Sequence, residues 1–412
     1  MGQFAYLIKV DAGANNNKFY RMIELPGTDT FKVEYGRVGR TTSDARYAMS
    51  QWDSKYREKL RKGYQDKTHL VAIEVKEDKT IKDEFAEISD NEIAKIVLQL
   101  RTLAKEVIRR NYQVSQEKVT QAMVDEAQRC LNSLIKMAQD GLSYQFFNAR
   151  LTDLFEIIPR QMGCVNDYMA RGANDYEKII AREQVLLDVM ATEVKVHEVK
   201  TEVEEIQEIQ KDEEQKPTIL EAMGLEMEPI TEEDKTIILK ELGDSKHLYR
   251  NAWRVKNLKT DKAFEENRKN LNSDVTKLFW HGSGSENFWS IICKGLMIRP
   301  ANVHFTGTMF GEGIYFAPRA KKSIGYTSLS GSYWRRGDQR VGYMALMEVA
   351  YGKPKTTKTN SGYYDLNSRN FKTRYPGYDC VHAKAGESLV NDEVIIYNSA
   401  QCTIRYLVEI GE

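Results

Sequence analysis

The sequence predicts a multidomain α+β protein with three parts: a small β-rich module, an all-α helical bundle, and a mixed α+β domain with substantial antiparallel sheet. Three observations predict this. The chain has 412 residues, more than one compact core usually holds. Its hydrophobic period changes along the chain, from strand-like alternation near the N-terminus, to helical spacing in the middle, to strand-like runs again in the C-terminal half. Its charge is also unevenly distributed. The formal net charge is +0, yet residues 1–70 hold 13 Lys and Arg against 8 Asp and Glu, while residues 193–234 are strongly acidic. A basic end and an acidic middle point to separate roles for separate segments.

Composition narrows the class. Hydrophobic residues make up 41% and charged residues 29%, within the range of ordinary globular domains. The five cysteines (Cys130, Cys164, Cys293, Cys380 and Cys402) are odd in number and scattered, with no C-x-x-C pair. This argues against a disulfide framework and a structural zinc site, and for a reducing intracellular compartment. No apolar run approaches the length of a membrane span, and the N-terminus lacks the pattern of a secretory signal.

In the first part, residues 4–10 read as a strand, 11–17 as a turn, and 31–35 as an alternating strand running into Gly36 and Gly39. Residues 41–62 read as a helix and residues 70–75 as a closing strand. Residues 85–192 read as all helix. Ser89 and Glu92 have capping-box spacing, and the apolar residues from Ile93 to Ile108 follow a helical period. A second helix is predicted from near Ser115 to before Gly141, a third over residues 145–158, stopped by Pro159, and a fourth over about residues 175–190. Residues 193–216 read either as a solvated helix or as a flexible linker. Beyond Thr218 the pattern gives a helix over residues 232–242 and strands at 278–280, 342–349, 394–397 and 402–410. The resulting divisions are residues 1–78, 85–192, 193–217 and 218–412.

Reactive residue types concentrate beside glycines in three islands of the last part. They are Trp280-His-Gly-Ser283, then Thr306-Gly-Thr-Met-Phe-Gly-Glu-Gly-Ile-Tyr-Phe-Ala317 with Lys322-Ser-Ile-Gly-Tyr326, then Asn391-Asp-Glu-Val-Ile-Ile-Tyr397. Each alone has a plain structural reading: a core histidine, a turn, a solvated strand end. His281 and Ser283 are two residues apart with no recognisable acid partner, so no nucleophile–base–acid arrangement emerges. From residue types and spacing alone, the islands mark a small-ligand site without a metal-ligand cluster.

Their order carries more. His-Gly-Ser, Gly-x-Gly-Ile-Tyr-Phe-Ala, Ser-x-x-Tyr and Asn-Asp-Glu-x-Ile-x-Tyr together resemble the catalytic domain of the poly(ADP-ribose) polymerase family over roughly residues 218–412. Residues 85–192 are similar to its helical regulatory domain, chiefly through residues 148–159, and Tyr35-Gly-Arg-Val-Gly39 resembles the Trp-Gly-Arg signature of its WGR DNA-contacting module. The layout resembles that of the short, DNA-dependent members.

The resemblance implies an ADP-ribosyltransferase that takes NAD⁺ as substrate, releases nicotinamide, and needs neither metal nor prosthetic group. It implies elongation of ADP-ribose on protein acceptors, including the enzyme itself, stimulated by DNA strand breaks. The alternatives are mono-ADP-ribosylation of protein or nucleic-acid ends, and a catalytically silent DNA-binding scaffold. The transition state of nicotinamide loss has oxocarbenium character, which a nearby carboxylate stabilises. The resemblance places Glu393 there. It gives His281 the adenine-side ribose and the acceptor hydroxyl, and stacks Tyr326 and Tyr315 about nicotinamide. It has Gly282 and Ser323 hold the carboxamide, with Ser283 and Lys322 as further contributors. Tyr315 also reads as core, and Lys322 as a solvated lysine beside Lys321.

At the N-terminal module, Tyr35 stands where the family usually has Trp. The resemblance implies DNA contact by Tyr35 and Arg37; Arg37 reads equally as a bridge to the next domain. The basic residues from Lys55 to Lys62 read either as a phosphate-binding face or as an ordinary solvated one. Residues 85–192 are expected to restrain NAD⁺ access until DNA binds. Met297, Thr308, Glu312 and a short segment between Lys353 and Val390 depart from many relatives and bear on acceptor choice and product length. Residence follows the host: the nucleus of a eukaryote or the cytoplasm of a bacterium.

Overall fold

The computed structural model describes residues 2–38, 42–68, 85–112, 119–210, 216–298 and 309–411, with the side chains of residues 203–210 excepted. They are α+β and form two compact units, residues 1–81 with 105–197, and residues 82–104 with 198–412.

The first unit begins with an antiparallel sheet of β1 (Phe4–Asp11), β2 (Asn16–Glu24), β3 (Thr30–Arg37) and β4 (Ser43–Ala48). Helix α1 (Trp52–Arg61) follows, and β5 (Gln65–Asp66) pairs with β1, giving the order β4-β3-β2-β1-β5. Leu7, Met22, Phe31 and Val33 are fully buried on one face, where α1 lays Trp52 edge-on against Phe31 at 4.9 Å. The single helix expected over residues 41–62 is therefore a strand and a helix. Ser43–Ala48 has little intrinsic strand preference; six consecutive pairs with β3, from Thr30↔Ala48 to Tyr35↔Ser43, override it. The expected closing strand at residues 70–75 and Gly39 lie outside the described residues.

Helix α2 (Asn91–Asn111) starts on Asp90, whose carboxylate accepts from the Glu92 and Ile93 N–H groups, rather than on the Ser89 of the expected capping box. Helix α3 (Gln121–Gln139) is capped by the Thr120 hydroxyl, and its expected start at Ser115 lies outside the described residues. Helix α4 (Tyr144–Ile157) stops before Pro159. Helix α5 (Tyr176–Gln210) is far longer than its apolar stripe suggested. Its buried face includes Glu183, Gln184, Asp188 and Glu193, so hydropathy alone hides its length. Residues 193–210 are thus helical. Within the first unit, α4 packs on β1: Glu156 accepts from the Val10 N–H at 3.2 Å, and Asn17 donates to the Arg160 carbonyl at 2.9 Å.

The second unit adds α6 (Ile219–Ala222), β6 (Leu225–Pro229), α7 (Glu232–Leu242), β7 (Tyr249–Asn257), α8 (Leu258–Arg268), β8 (Thr276–Gly282) and α9 (Phe288–Lys294). Then come β9 (Ile314–Phe316), α10 (Ala320–Ile324), β10 (Val341–Ala350), β11 (Pro354–Thr357), α11 (Phe371–Arg374), β12 (Cys380–Ala383), β13 (Glu393–Ile396) and β14 (Cys402–Gly411). One sheet has the order β6-β7-β14-β10-β8 and is antiparallel throughout; the other has the order β11-β12-β13-β9, with only β11 and β12 parallel. Trp280, Met344, Leu346 and Val408 fill the first core, while Phe310, Leu366, Val381 and Ile395 fill the second.

Candidate active site

The two sheets meet where β8 runs beside β9. Trp280 and Ala317 exchange backbone hydrogen bonds of 3.0 and 2.9 Å. Trp280 is fully buried, and its indole N–H donates to the Glu241 carbonyl at 3.1 Å. Strand alternation turns the next residue, His281, to the other side. Its Nδ1 lies 3.3 Å from the Tyr315 carbonyl, and its ring meets Phe316 edge-on at 6.3 Å. Burial lowers the imidazole pKa, against the raising effect of that bond. The imidazole is therefore neutral at neutral pH; with Nδ1–H donating to the carbonyl, Nε2 is an acceptor.

Gly282 allows a contact that no other residue permits. A Cβ there would lie 2.0 Å from the Ser323 carbonyl oxygen and 2.8 Å from its carbon, so only glycine lets α10 rest on β8. Helix α10 carries the buried Ser323, whose carbonyl accepts from the Tyr326 N–H at 3.0 Å. The Tyr326 ring stacks on Trp334, with centroids 6.0 Å apart and planes at 19°.

Glu393 opens β13 opposite Ala383, two residues before Ile395, which faces Tyr315. Its Oε1 pairs with Nζ of Lys322. Its Oε2 is buried and has no hydrogen-bond partner among the described residues. Burial raises the carboxyl pKa, with Lys322 pulling the other way. The hydroxyl pKa values of Tyr315 and Tyr326 are raised by burial first, and the charge of Glu393 adds to both.

The backbone just before Glu393 is fixed by a network to which the sequence reading gave no role. Asp392 accepts from the Ala385 N–H at 2.8 Å and from Lys384 Nζ at 2.9 Å, and its Oδ2 lies 3.2 Å from His382 Nε2. His382 Nδ1 is 2.6 Å from the Tyr351 hydroxyl. Nothing in the local sequence signals this, because Tyr351 and His382 meet only through the fold. Trp334 was missed for the same reason.

The structure thus gathers His281, Gly282, Tyr315, Lys322, Ser323, Tyr326 and Glu393 about one seam. Tyr315 contributes its ring, while its hydroxyl is committed: it donates to the Gly311 carbonyl at 2.8 Å and accepts from the Phe310 N–H at 3.0 Å. Ser283 adjoins the group, but its Oγ accepts from Asn287 at 2.9 Å. Met297 is exposed, the Glu312 N–H donates to the Leu366 carbonyl at 2.6 Å, and Thr308 lies outside the described residues. Tyr35 and Arg37 are in the other unit. Tyr35 is 40% exposed, beside Tyr20 at 6.0 Å. Arg37 donates to the Asn15 carbonyl (2.7 Å), to Asn15 Oδ1 (2.9 Å) and to the Gly163 carbonyl (2.8 Å). In α1, Lys59 lies over the Tyr20 ring at 4.1 Å and Lys62 pairs with Glu58 at 2.5 Å.

The described residues contain no group of three or more His, Cys, Asp or Glu that could hold a metal ion, and no helix long and apolar enough to cross a membrane. No disulfide joins any of the five cysteines. A seam of this kind offers a buried carboxylate, stacking rings and close backbone groups to a sugar-linked aromatic cation.

Residues 238–411 match the family model for the poly(ADP-ribose) polymerase catalytic domain, and residues 3–71 match the WGR domain, a nucleic-acid-binding module. The chain is an ADP-ribosyltransferase that uses NAD⁺ as substrate. It belongs to the poly(ADP-ribose) polymerase family. It is 32% identical over 164 residues to the putative poly [ADP-ribose] polymerase-like 100L of Invertebrate iridescent virus 6, covering 38% of this chain and 83% of that protein. Similarity to the protein mono-ADP-ribosyltransferase PARP3 of Homo sapiens is 22% identity over 477 residues, covering 96% of this chain and 85% of the relative. With poly [ADP-ribose] polymerase 1 of Xenopus laevis it is 25% identical over 356 residues, covering 77% of this chain and 34% of the relative.

Proposed function

We propose that this enzyme transfers and elongates ADP-ribose on protein acceptors, itself included, when it meets DNA strand breaks. The observation that carries the catalytic part is the buried carboxylate of Glu393, with one oxygen on Lys322 and the other unpartnered. A ribose hydroxyl donating to Oε2 would complete its hydrogen bonding, and its charge would face the cation that develops as nicotinamide leaves. In this reading the Gly282 backbone and the Ser323 hydroxyl hold the carboxamide, and Tyr326 and Tyr315 flank the ring. Lys322 orients Glu393, and Ser283 supports the turn through Asn287. Acceptor-ready Nε2 of His281 takes a hydroxyl of the adenine-side ribose. Tyr35 belongs to the DNA-contacting face, with Arg37 bracing the strand that carries it through Asn15 and Gly163, and residues 85–192 restrain NAD⁺ access until DNA binds. The assignment to the DNA damage response rests on the same reading.

A second reading, transfer of a single unit, is favoured by the mono-ADP-ribosyltransferase name of the human relative that aligns with nearly the whole chain. One experiment separates the two. The protein is incubated with labelled NAD⁺, with and without nicked or blunt-ended DNA, and the products are sized. A DNA-dependent ladder is expected. A single discrete band supports mono-transfer, and no label supports a silent scaffold. Deleting residues 85–192 should raise the DNA-free rate; an unchanged rate would refute the restraint.

A further inference from the structure

The loop after Tyr326 carries a surface that the catalytic reading leaves unused. Tyr333 is 77% exposed and Trp334 is 55% exposed, with their rings edge-to-face at 4.7 Å. Adjacent large aromatics left this open are uncommon on a folded surface and mark binding sites. The loop is firmly built. The Trp334 and Arg335 N–H groups donate to the Gly325 carbonyl at 2.9 and 3.2 Å, Ser330 and Leu329 bridge to Gly337 and Gln339, and Arg335 pairs with Glu286. Trp334 is held against Tyr326, which leaves Tyr333 as the outermost ring.

Charge says what the rings would receive. Residues 319–340 hold six Lys and Arg against one acidic residue, Asp338. Lys322 and Arg335 are paired with carboxylates, whereas the side chains of the exposed Lys321, Arg336 and Arg340 have no partner among the described residues. Arg336 has φ +53, one of two non-glycine residues with positive φ among those described. Such strain persists where the surroundings impose it, and it concentrates at functional loops.

We propose that Tyr333, Trp334 and Arg336 form a docking platform for single-stranded DNA beside the catalytic seam. Open rings stack on bases whose faces are free, which a duplex interior does not offer, and the unpaired cations match the phosphates. An acidic peptide would answer the charge and leave the rings uncovered. The choice of DNA rests on the strand-break reading above, since a break frees such a strand.

The test uses the full chain and an oligo-dT carrying 5-iodouracil. After irradiation, the crosslink should map to the tryptic segment 323–335, with a yield that falls as salt rises. The double variant Tyr333→Ser, Arg336→Gly should lower that yield at least about tenfold, the scale of losing one stacked base, while nicotinamide release is unchanged. A crosslink confined to residues 3–71, an undiminished yield in the double variant, or stronger displacement by oligo-rU or oligoglutamate than by oligo-dT would each overturn the platform. Crosslinking needs no turnover. A chain that crosslinks here without DNA-stimulated nicotinamide release keeps the platform and loses the strand-break reading. A chain stimulated by duplex ends with no crosslink here does the reverse.

Discussion

Arg37 and Glu393 are both charged residues at the end of a strand, and they dispose of their charge in opposite ways. Arg37 commits both terminal guanidinium nitrogens to acceptors in its own unit, leaving only Nε without a partner. Glu393 commits one oxygen to Lys322 and keeps the other buried and empty-handed. Buried polar atoms are nearly always satisfied, and a bare carboxylate oxygen is among the least tolerated exceptions. Arg37 therefore reads as a joint between a β-module and the segment after α4, and Glu393 as a site that a ligand completes. A family motif marks the position; the hydrogen-bond inventory says what the residue does there.

The largest effect that can break this contrast is Glu393→Gln. It should lower nicotinamide release about 10²- to 10³-fold, while any fall in melting temperature reports only the Lys322 ammonium left without its carboxylate. A loss below about tenfold would deny the carboxylate its role. Next, Gly282→Ala forces a Cβ into the Ser323 carbonyl, so kcat/KM for NAD⁺ should fall at least about tenfold, by analogy with other small displacements of an active site. His382→Ala frees Asp392 and the Tyr351 hydroxyl and should destabilise the second unit by about 1–3 kcal/mol in chemical denaturation. Arg37→Ala should destabilise the first unit by a similar or smaller amount, yet leave DNA-free nicotinamide release intact. A further effect is in pH. Burial raises the Glu156 carboxyl to about 7, from an ordinary 4.5. Its contribution to stability is thus full below pH 4.5 and is lost as the pH rises through 7, and Glu156→Gln should flatten that slope in thermal melts.

Legibility in the sequence followed the range of the interactions. Helix α7 was readable from end to end, the structure adding a capping box of Thr231 and Asp234 at its start, and α4 ended where Pro159 demanded. Strands β10 and β14 were readable from their apolar runs. Strand β4 was not, since Ser-Asp-Ala-Arg-Tyr-Ala becomes a strand only by pairing with β3, and β2 hid behind an Asn-rich turn. In the site, His281, Tyr326 and Glu393 were linked by resemblance alone, because β8, the turn after α10 and β13 meet only in three dimensions. Trp334, Asp392, His382 and Tyr351 shape the same seam through contacts that no local pattern announces.

The most direct test is a crystal structure with an unreactive NAD⁺ analogue. The nicotinamide ring should lie on Tyr326, and a ribose hydroxyl should donate to Glu393 Oε2 at about 2.5–3.0 Å. An analogue bound elsewhere, or one that leaves Oε2 without a partner, would contradict the assignment of this seam as the NAD⁺ site.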